Sequence, residues 1–163
     1  MSNVREIIIN SPKYGQKIIL VDDSEYQKVI KYKWTVVSKN GIAFYAQRHF
    51  NHKTISLHRF IMGDPDSFVD HKNQNGLDNT KDNLRPCDRS QNARNSRIPK
   101  NNKSGYKGVC YMNNRYGKKW RASIFIDGRG KTIGHYHTST DAARAYNEAA
   151  IKYHQEFASI NQI

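Results

Sequence analysis

Acidic and apolar side chains are both scarce in this sequence. Fourteen aspartates and glutamates stand against 27 lysines and arginines, giving a formal charge of +13 over 163 residues. Such an excess is the electrostatic footprint of a polyanion binder. Apolar residues make up 37%, with a mean hydropathy of −0.86, so any core is modest and two small modules are plausible. Only two cysteines occur, Cys87 and Cys110, and no C-x-x-C pair, which argues against a structural zinc site and fits a reducing compartment. No apolar run approaches membrane-spanning length, and MSNVREIII lacks the long apolar core of a secretory signal. The expectation is a soluble cytoplasmic protein with no membrane contact and no implied protein partner.

What is present is unevenly spread. Residues 1–84 carry 12 basic and 9 acidic side chains, and residues 120–163 carry five and four. Residues 85–119 carry ten basic side chains against Asp88 alone. A basic amphipathic helix with bulky apolar residues would suggest an anionic membrane, but none accompanies this stretch. Nucleic acid is the favoured partner.

The first sixty residues read as β-rich. Glu6–Asn10 and Lys17–Asp22 are β-branched runs around a turn-prone Ser11-Pro12-Lys13-Tyr14-Gly15. Ser24–Tyr32 suits a short helix. Trp34–Ser38, Ala43–Phe50 and Thr54–Met62 read as strands, with an Asn40-Gly41 turn after the first. From Phe68 onward asparagines and turn residues crowd the chain. A polar linker, residues 99–105, then marks a boundary. Beyond it Tyr106–Tyr111, Trp120–Ile126 and Lys131–His137 are strand candidates, with turns at Arg115–Lys119 and Asp127–Gly130. A helix follows from Thr138, whose capping box closes on Asp141. Ala142, Ala143, Tyr146, Ala149, Ala150 and Tyr153 form its apolar stripe.

Chemistry gathers at Val69-Asp70-His71, where an apolar strand ends in an acid and an imidazole. Asn83 follows in a polar loop, Leu84-Arg85-Pro86 reads as a returning strand, and Asp88 can cap a helix to about Arg97 that carries Asn92. Phosphodiester hydrolysis needs an activated water, charge neutralisation on phosphorus oxygens, and stabilisation of the leaving alkoxide. A neutral histidine supplies the first. A hard cation on oxygen ligands supplies the others, and Asp70 and Asn92 are such ligands for magnesium or manganese. Asn95, one helical step on, is the alternative to Asn92. His58 is expected in a strand, either packing or touching phosphate. His49, His52, His135, His137 and His154 show no ligand spacing.

The stretch LHRFIMG…VDHKNQNGLDNTKDNLRPCDRSQNARN, from Leu57 to Arg97, resembles the HNH nuclease signature in the variant where asparagine replaces the final histidine. The resemblance implies a ββα-metal module, with His71 as general base and Asp70 and Asn92 as ligands of Mg²⁺ or Mn²⁺. It implies that Asn83 ties the loop and orients the histidine, and that the substrate is double-stranded DNA.

Residues 104–163 resemble a second family. YKGV, WRASI, IGHYHTSTDAARAYNEAAIKY and the final SIN are similar to the APETALA/ethylene-response-factor DNA-binding domain. That likeness implies a three-stranded sheet laid in the major groove, which is wide enough to admit it. Lys107, Trp120 and Lys131 fall at or near the family's positions. Cys110, Ser123 and Phe125 depart from them, so the base preference of plant relatives is not transferable. Tyr111, Arg115, Arg121 and Arg129 are the other candidate DNA contacts.

The fold class expected is α+β: a β-rich N-terminal region leading into an HNH module over residues 1–98, a linker at 99–105, and a three-stranded antiparallel sheet packed on one helix over 106–163. The expected function is a site-directed, homing-type DNA endonuclease of the kind found in phages and bacteria. A non-catalytic DNA-binding regulator with a degenerate nuclease module is the alternative, and an RNA-binding protein fits the charge but not a groove-reading sheet.

Overall fold

The computed structural model describes residues 3–38, 41–99, 101–113, 117 and 119–163. The chain divides into two compact units, Met1–Asp88 and Arg89–Ile163. The described residues form a mixed α and β structure of small antiparallel sheets and short helices. No helix among them is long and apolar enough to cross a membrane.

The first unit opens with β1 (Val4–Ser11) and β2 (Gly15–Asp22), paired antiparallel along their whole length. Gly15 closes their turn at φ +67°, a left-handed conformation natural to glycine. Helix α1 (Asp23–Val29) follows directly. Strands β3 (Thr35–Ser38), β4 (Phe44–Phe50) and β5 (Lys53–Ser56) make an antiparallel meander. The Asn40 side of the expected turn lies outside the described residues.

The third expected strand, Thr54–Met62, is corrected by the structure. It ends at Ser56, and Leu57–Ile61 form helix α2. Leu57 and Ile61 are both buried, four residues apart on one helical face, a spacing that strand alternation does not produce. They join Ile19, Val21, Val29, Trp34, Val36, Ala46, Val69, Leu77 and Leu84 in one core. Trp34 satisfies its indole N–H on the Val29 carbonyl at 2.9 Å, which lets a polar atom sit inside that core.

Strands β6 (Phe68–His71) and β7 (Leu84–Cys87) form a two-stranded hairpin whose connecting loop, residues 72–83, is long and polar. The loop is not loose. Leu20 donates its N–H to the Leu77 carbonyl and accepts from the Asn79 N–H, both at 2.8 Å. Lys81 N–H donates to the Asp22 carboxylate at 2.7 Å. Leu77 plugs into the core, so the loop is seated on β2 by both backbone and side chain.

The sequence suggests a linker at 99–105, and the compact units divide ahead of it, between Asp88 and Arg89. Helix α3 (Arg89–Arg94) therefore belongs with the second unit, and it stops short of Arg97. The physical reason lies in Lys107. Its ammonium donates to the Arg94 carbonyl at 2.5 Å and to the Ser96 carbonyl at 2.6 Å, tying down the C-terminal end of α3.

In the second unit β8 (Val109–Tyr111), β9 (Trp120–Ile126) and β10 (Arg129–Tyr136) form an antiparallel sheet in the order β10-β9-β8. Helix α4 (Ser139–His154) packs across it. Thr138 caps α4, its hydroxyl oxygen accepting from the Asp141 N–H at 3.0 Å, as the capping box predicts. Ala142, Ala143 and Ala150 are fully buried, and methyl groups of that size let helix and sheet approach closely. At the end of the stripe the expectation fails. Tyr153 is exposed and His154 turns inward, with Nε2 2.8 Å from the Phe125 carbonyl.

Asn161 locks this unit. Its Oδ1 accepts from the Lys107 N–H at 2.6 Å and its Nδ2 donates to the Lys107 carbonyl at 3.2 Å. Its backbone exchanges two more bonds with the Asn147 amide. Asn161→Ala leaves buried backbone groups unpaired, and we expect it to cost the second unit about 1–3 kcal/mol. Thermal unfolding followed by calorimetry reads this, and an unchanged transition would show that the clamp is dispensable.

Candidate active site

Strand β6 carries Asp70 and His71 to its end, where both are buried. Successive strand residues face opposite sides, so the two groups diverge although their Cα atoms are neighbours. Asp70 lies directly across from Arg85 of β7. Arg85 donates from Nε at 3.0 Å and from Nη2 at 2.8 Å to the same oxygen, Oδ2. Both side chains are more than nine-tenths buried.

His71 turns instead towards a small aromatic box. The His58 ring meets it edge to face at 5.0 Å between centroids, and Tyr45 does so at 5.9 Å. His71 Nε2 lies 3.4 Å from Oδ1 of Asn79, which is itself fully buried. Burial is the main cause that pushes the His71 imidazole below its ordinary range; Asn79, Asp70 and Asp78 pull the other way. The side chain is thus held neutral around pH 7, the state in which it can accept a proton.

His58 sits on α2, not in a strand, and packs against His71. Burial first, then the neighbouring His71 and Arg59, lower its pKa to about 4. Its Nδ1 is buried without a hydrogen-bond partner. Gly76 closes the box from the loop side. A Cβ there would meet the Phe44 carbonyl oxygen and the Tyr45 ring at 2.4 Å, so no larger residue fits without displacing the ring that flanks His71.

Asn83 acts on the loop. Its Oδ1 accepts from the Asn73 N–H at 3.0 Å, its Nδ2 donates to the Asp78 carbonyl at 2.7 Å, and its own carbonyl accepts from the Lys72 N–H at 2.9 Å. The amide that meets the imidazole is that of Asn79. Asn79 lies inside the HNH-like stretch, but as one of six asparagines from Asn73 to Asn95 nothing local marks it as the one that meets the histidine. Asn92 lies on α3 with its side chain exposed, while Asn95, just beyond α3, is buried. Of the two, Asn92 is the one open to solvent. Among the described residues no group of three or more His, Cys, Asp or Glu is placed to hold a metal.

The candidate DNA contacts divide by sheet register. Ala122 and Ile124 of β9 are buried beneath α4, so Trp120 and Ile126 share their face and Arg121, Ser123 and Phe125 occupy the other. Lys131 pairs with Ile124 and Arg129 with Ile126, which places both on the α4 side. The Lys131 ammonium accordingly stands over the Tyr153 ring at 5.7 Å. Tyr111 and Trp120 pair edge to face at 5.3 Å on that same side, and Lys107 is engaged with α3. Arg121 is the one described candidate on the open face, beside Ser123, Phe125, Thr132 and His135. Arg115 lies outside the described residues.

Fold and site together define a small basic α and β protein with a neutral histidine and an ion-paired carboxylate side by side at the end of a hairpin strand. The chain is 32% identical over 142 residues to a protein of Acanthamoeba polyphaga mimivirus named an uncharacterized HNH endonuclease, covering 83% of this chain and 70% of that one. It is 34% identical over 62 residues to protein 3.8 of Escherichia phage T7, covering 38% of this chain and half of that protein. No family model matches the chain, and no solved structure matches it. The chain belongs to the HNH endonuclease family.

The depressed pKa of His58 makes stability depend on acidity. The unfolded chain binds this proton near pH 6.5 and the folded chain only near pH 4, so the unfolded state holds more protons in between. Stability of the first unit should therefore be full above about pH 6.5 and fall as pH drops towards 4, by roughly 3 kcal/mol from this group. His71, shifted in the same direction, adds to the loss. Thermal melts of wild type and His58→Phe across that range should show a shallower pH slope in the variant; parallel slopes would contradict the shift.

Proposed function

We propose that the protein is a DNA endonuclease that hydrolyses phosphodiester bonds with His71 as general base, directed to its site by the C-terminal unit. The observation that carries this reading is the buried, neutral His71 held against Asn79 in a chain of HNH kinship. In the tautomer that donates from Nε2 to Asn79 Oδ1, Nδ1 is the basic nitrogen of the ring. The flanking rings of His58 and Tyr45 fix the imidazole plane, and the seated loop holds Asn79 in register with it.

Asp70 and Asn92 are the ligands that the motif spacing implies. By donor chemistry, carboxylate and amide oxygens suit a hard divalent ion, magnesium or manganese, better than zinc, which prefers nitrogen and sulfur. When bound, such an ion supplies neutralisation of the phosphate charge and of the leaving oxygen. Asn83 serves catalysis through the loop it closes.

The C-terminal unit reads DNA in this proposal as an APETALA-type sheet laid in the major groove of the duplex. Its open face then supplies the contacts to base edges through Arg121 and its neighbours. Lys107, Trp120 and Lys131, on which the family likeness rests, serve the fold of the unit. Site preference and a homing role follow from that reader, and the basic stretch 85–119 supplies phosphate contacts that position without selecting.

His71→Ala should lower the magnesium-dependent cleavage of duplex DNA by about 10²- to 10⁴-fold, with DNA affinity in chelator unchanged. More than about a tenth of the wild-type rate in this variant would mean that another group activates the water. For the reader, Arg121→Ala should weaken binding of a selected duplex by about tenfold or more, as loss of one good base contact costs about 1–3 kcal/mol. Lys131→Ala should change it little, and the opposite ranking would return recognition to the α4 side of the sheet.

A further inference from the structure

We propose that Arg85 is a positioning residue for the Asp70 carboxylate and sets the affinity of the chain for a divalent cation, an inference that rests on Asp70 being a metal ligand. Antiparallel register places the two residues directly opposite each other on β6 and β7. Cross-strand neighbours of this kind have Cβ atoms about 4.5–5.5 Å apart, so a guanidinium reaches its partner without distortion. Two of its donors, Nε at 3.0 Å and Nη2 at 2.8 Å, converge on Oδ2. A planar group bonded twice to one oxygen fixes where that oxygen sits and resists rotation of the carboxylate about its own axis. The pair is held between strands, not on a flexible loop, and both side chains are almost wholly buried.

Two effects of Arg85 on a bound cation oppose each other. Its charge repels the ion, and its fork presents the ligand already oriented. Groups that hydrogen-bond to a metal's ligands commonly change its affinity by about 10- to 100-fold, which is the size expected of orientation here. Arg85→Lys separates the two effects. A lysine keeps the positive charge and the pairing but replaces the rigid fork with a flexible point donor. Any change in affinity then reads orientation.

Direct Mn²⁺ titration of the intact protein without DNA, followed by electron paramagnetic resonance of the free ion, tests this on wild type, Arg85→Lys and Asp70→Asn. Circular dichroism establishes that each is folded. Asp70→Asn should lose the site. Arg85→Lys should bind Mn²⁺ about tenfold more weakly, and its cleavage should show the same shift in half-maximal metal concentration with a near-normal rate at saturation. A merely structural arginine would lower the melting temperature and leave the Mn²⁺ affinity of the folded protein where it was. Wild-type affinity, or tighter binding, in Arg85→Lys overturns the inference while Asp70→Asn still shows the ligand to be right. Equal binding by wild type and Asp70→Asn overturns the ligand reading and the inference with it.

Discussion

The seat of the 72–83 loop on β2 is the constraint on which the first unit depends. Two backbone hydrogen bonds at Leu20 and one to the Asp22 carboxylate hold a segment whose composition alone would leave it mobile. Leu77 adds the hydrophobic anchor. Because the loop is held, Asn79 stands at the His71 imidazole and Gly76 lies against Tyr45. A polar loop has no packing energy of its own, and it is ordered here because its orphan backbone groups are satisfied by a strand and by its own asparagines.

Around that seat, charge is sorted by burial. His58 and His71 share one aromatic surround, where desolvation disfavours the cation and leaves two neutral imidazoles in contact. Asp70, on the other side of the same strand, has the guanidinium of Arg85. Strand alternation keeps the two environments apart over a single peptide bond. An imidazole kept neutral by burial and a carboxylate held in an ion pair thereby sit next to each other in sequence without sharing surroundings.

The second unit is built on a different principle. A face of alanines on α4 brings helix and sheet close, leaving little volume for large side chains, and the ends are then fastened by polar clamps. Asn161 ties the final residues to Lys107 and Asn147, and Lys107 in turn ties down α3. Lys107, which looks available for ligand contact in the linear chain, is thereby spent on holding the unit together. The open face keeps Arg121 and Phe125, the latter 70% exposed.

The sequence by itself determined the β1–β2 hairpin, the capping box at Thr138 and most of the alanine stripe, because each is local: a period, a turn or a cap set by backbone geometry. Tertiary structure decided the rest. Leu57–Ile61 carries β-branched and aromatic residues that suit a strand, and only the core, by demanding Leu57 and Ile61 on one side, made it a helix. His58 had no partner in the linear chain, since its neighbour His71 is thirteen residues away on another element. Lys131 and Trp120 are positions where the linear sequence suggests DNA contact, yet their strand register turns them to the helix side. Asn79 was illegible for the same reason: which asparagine of a polar loop meets the histidine depends on where the loop is pinned, and that is fixed by Leu20, more than fifty residues earlier in the chain.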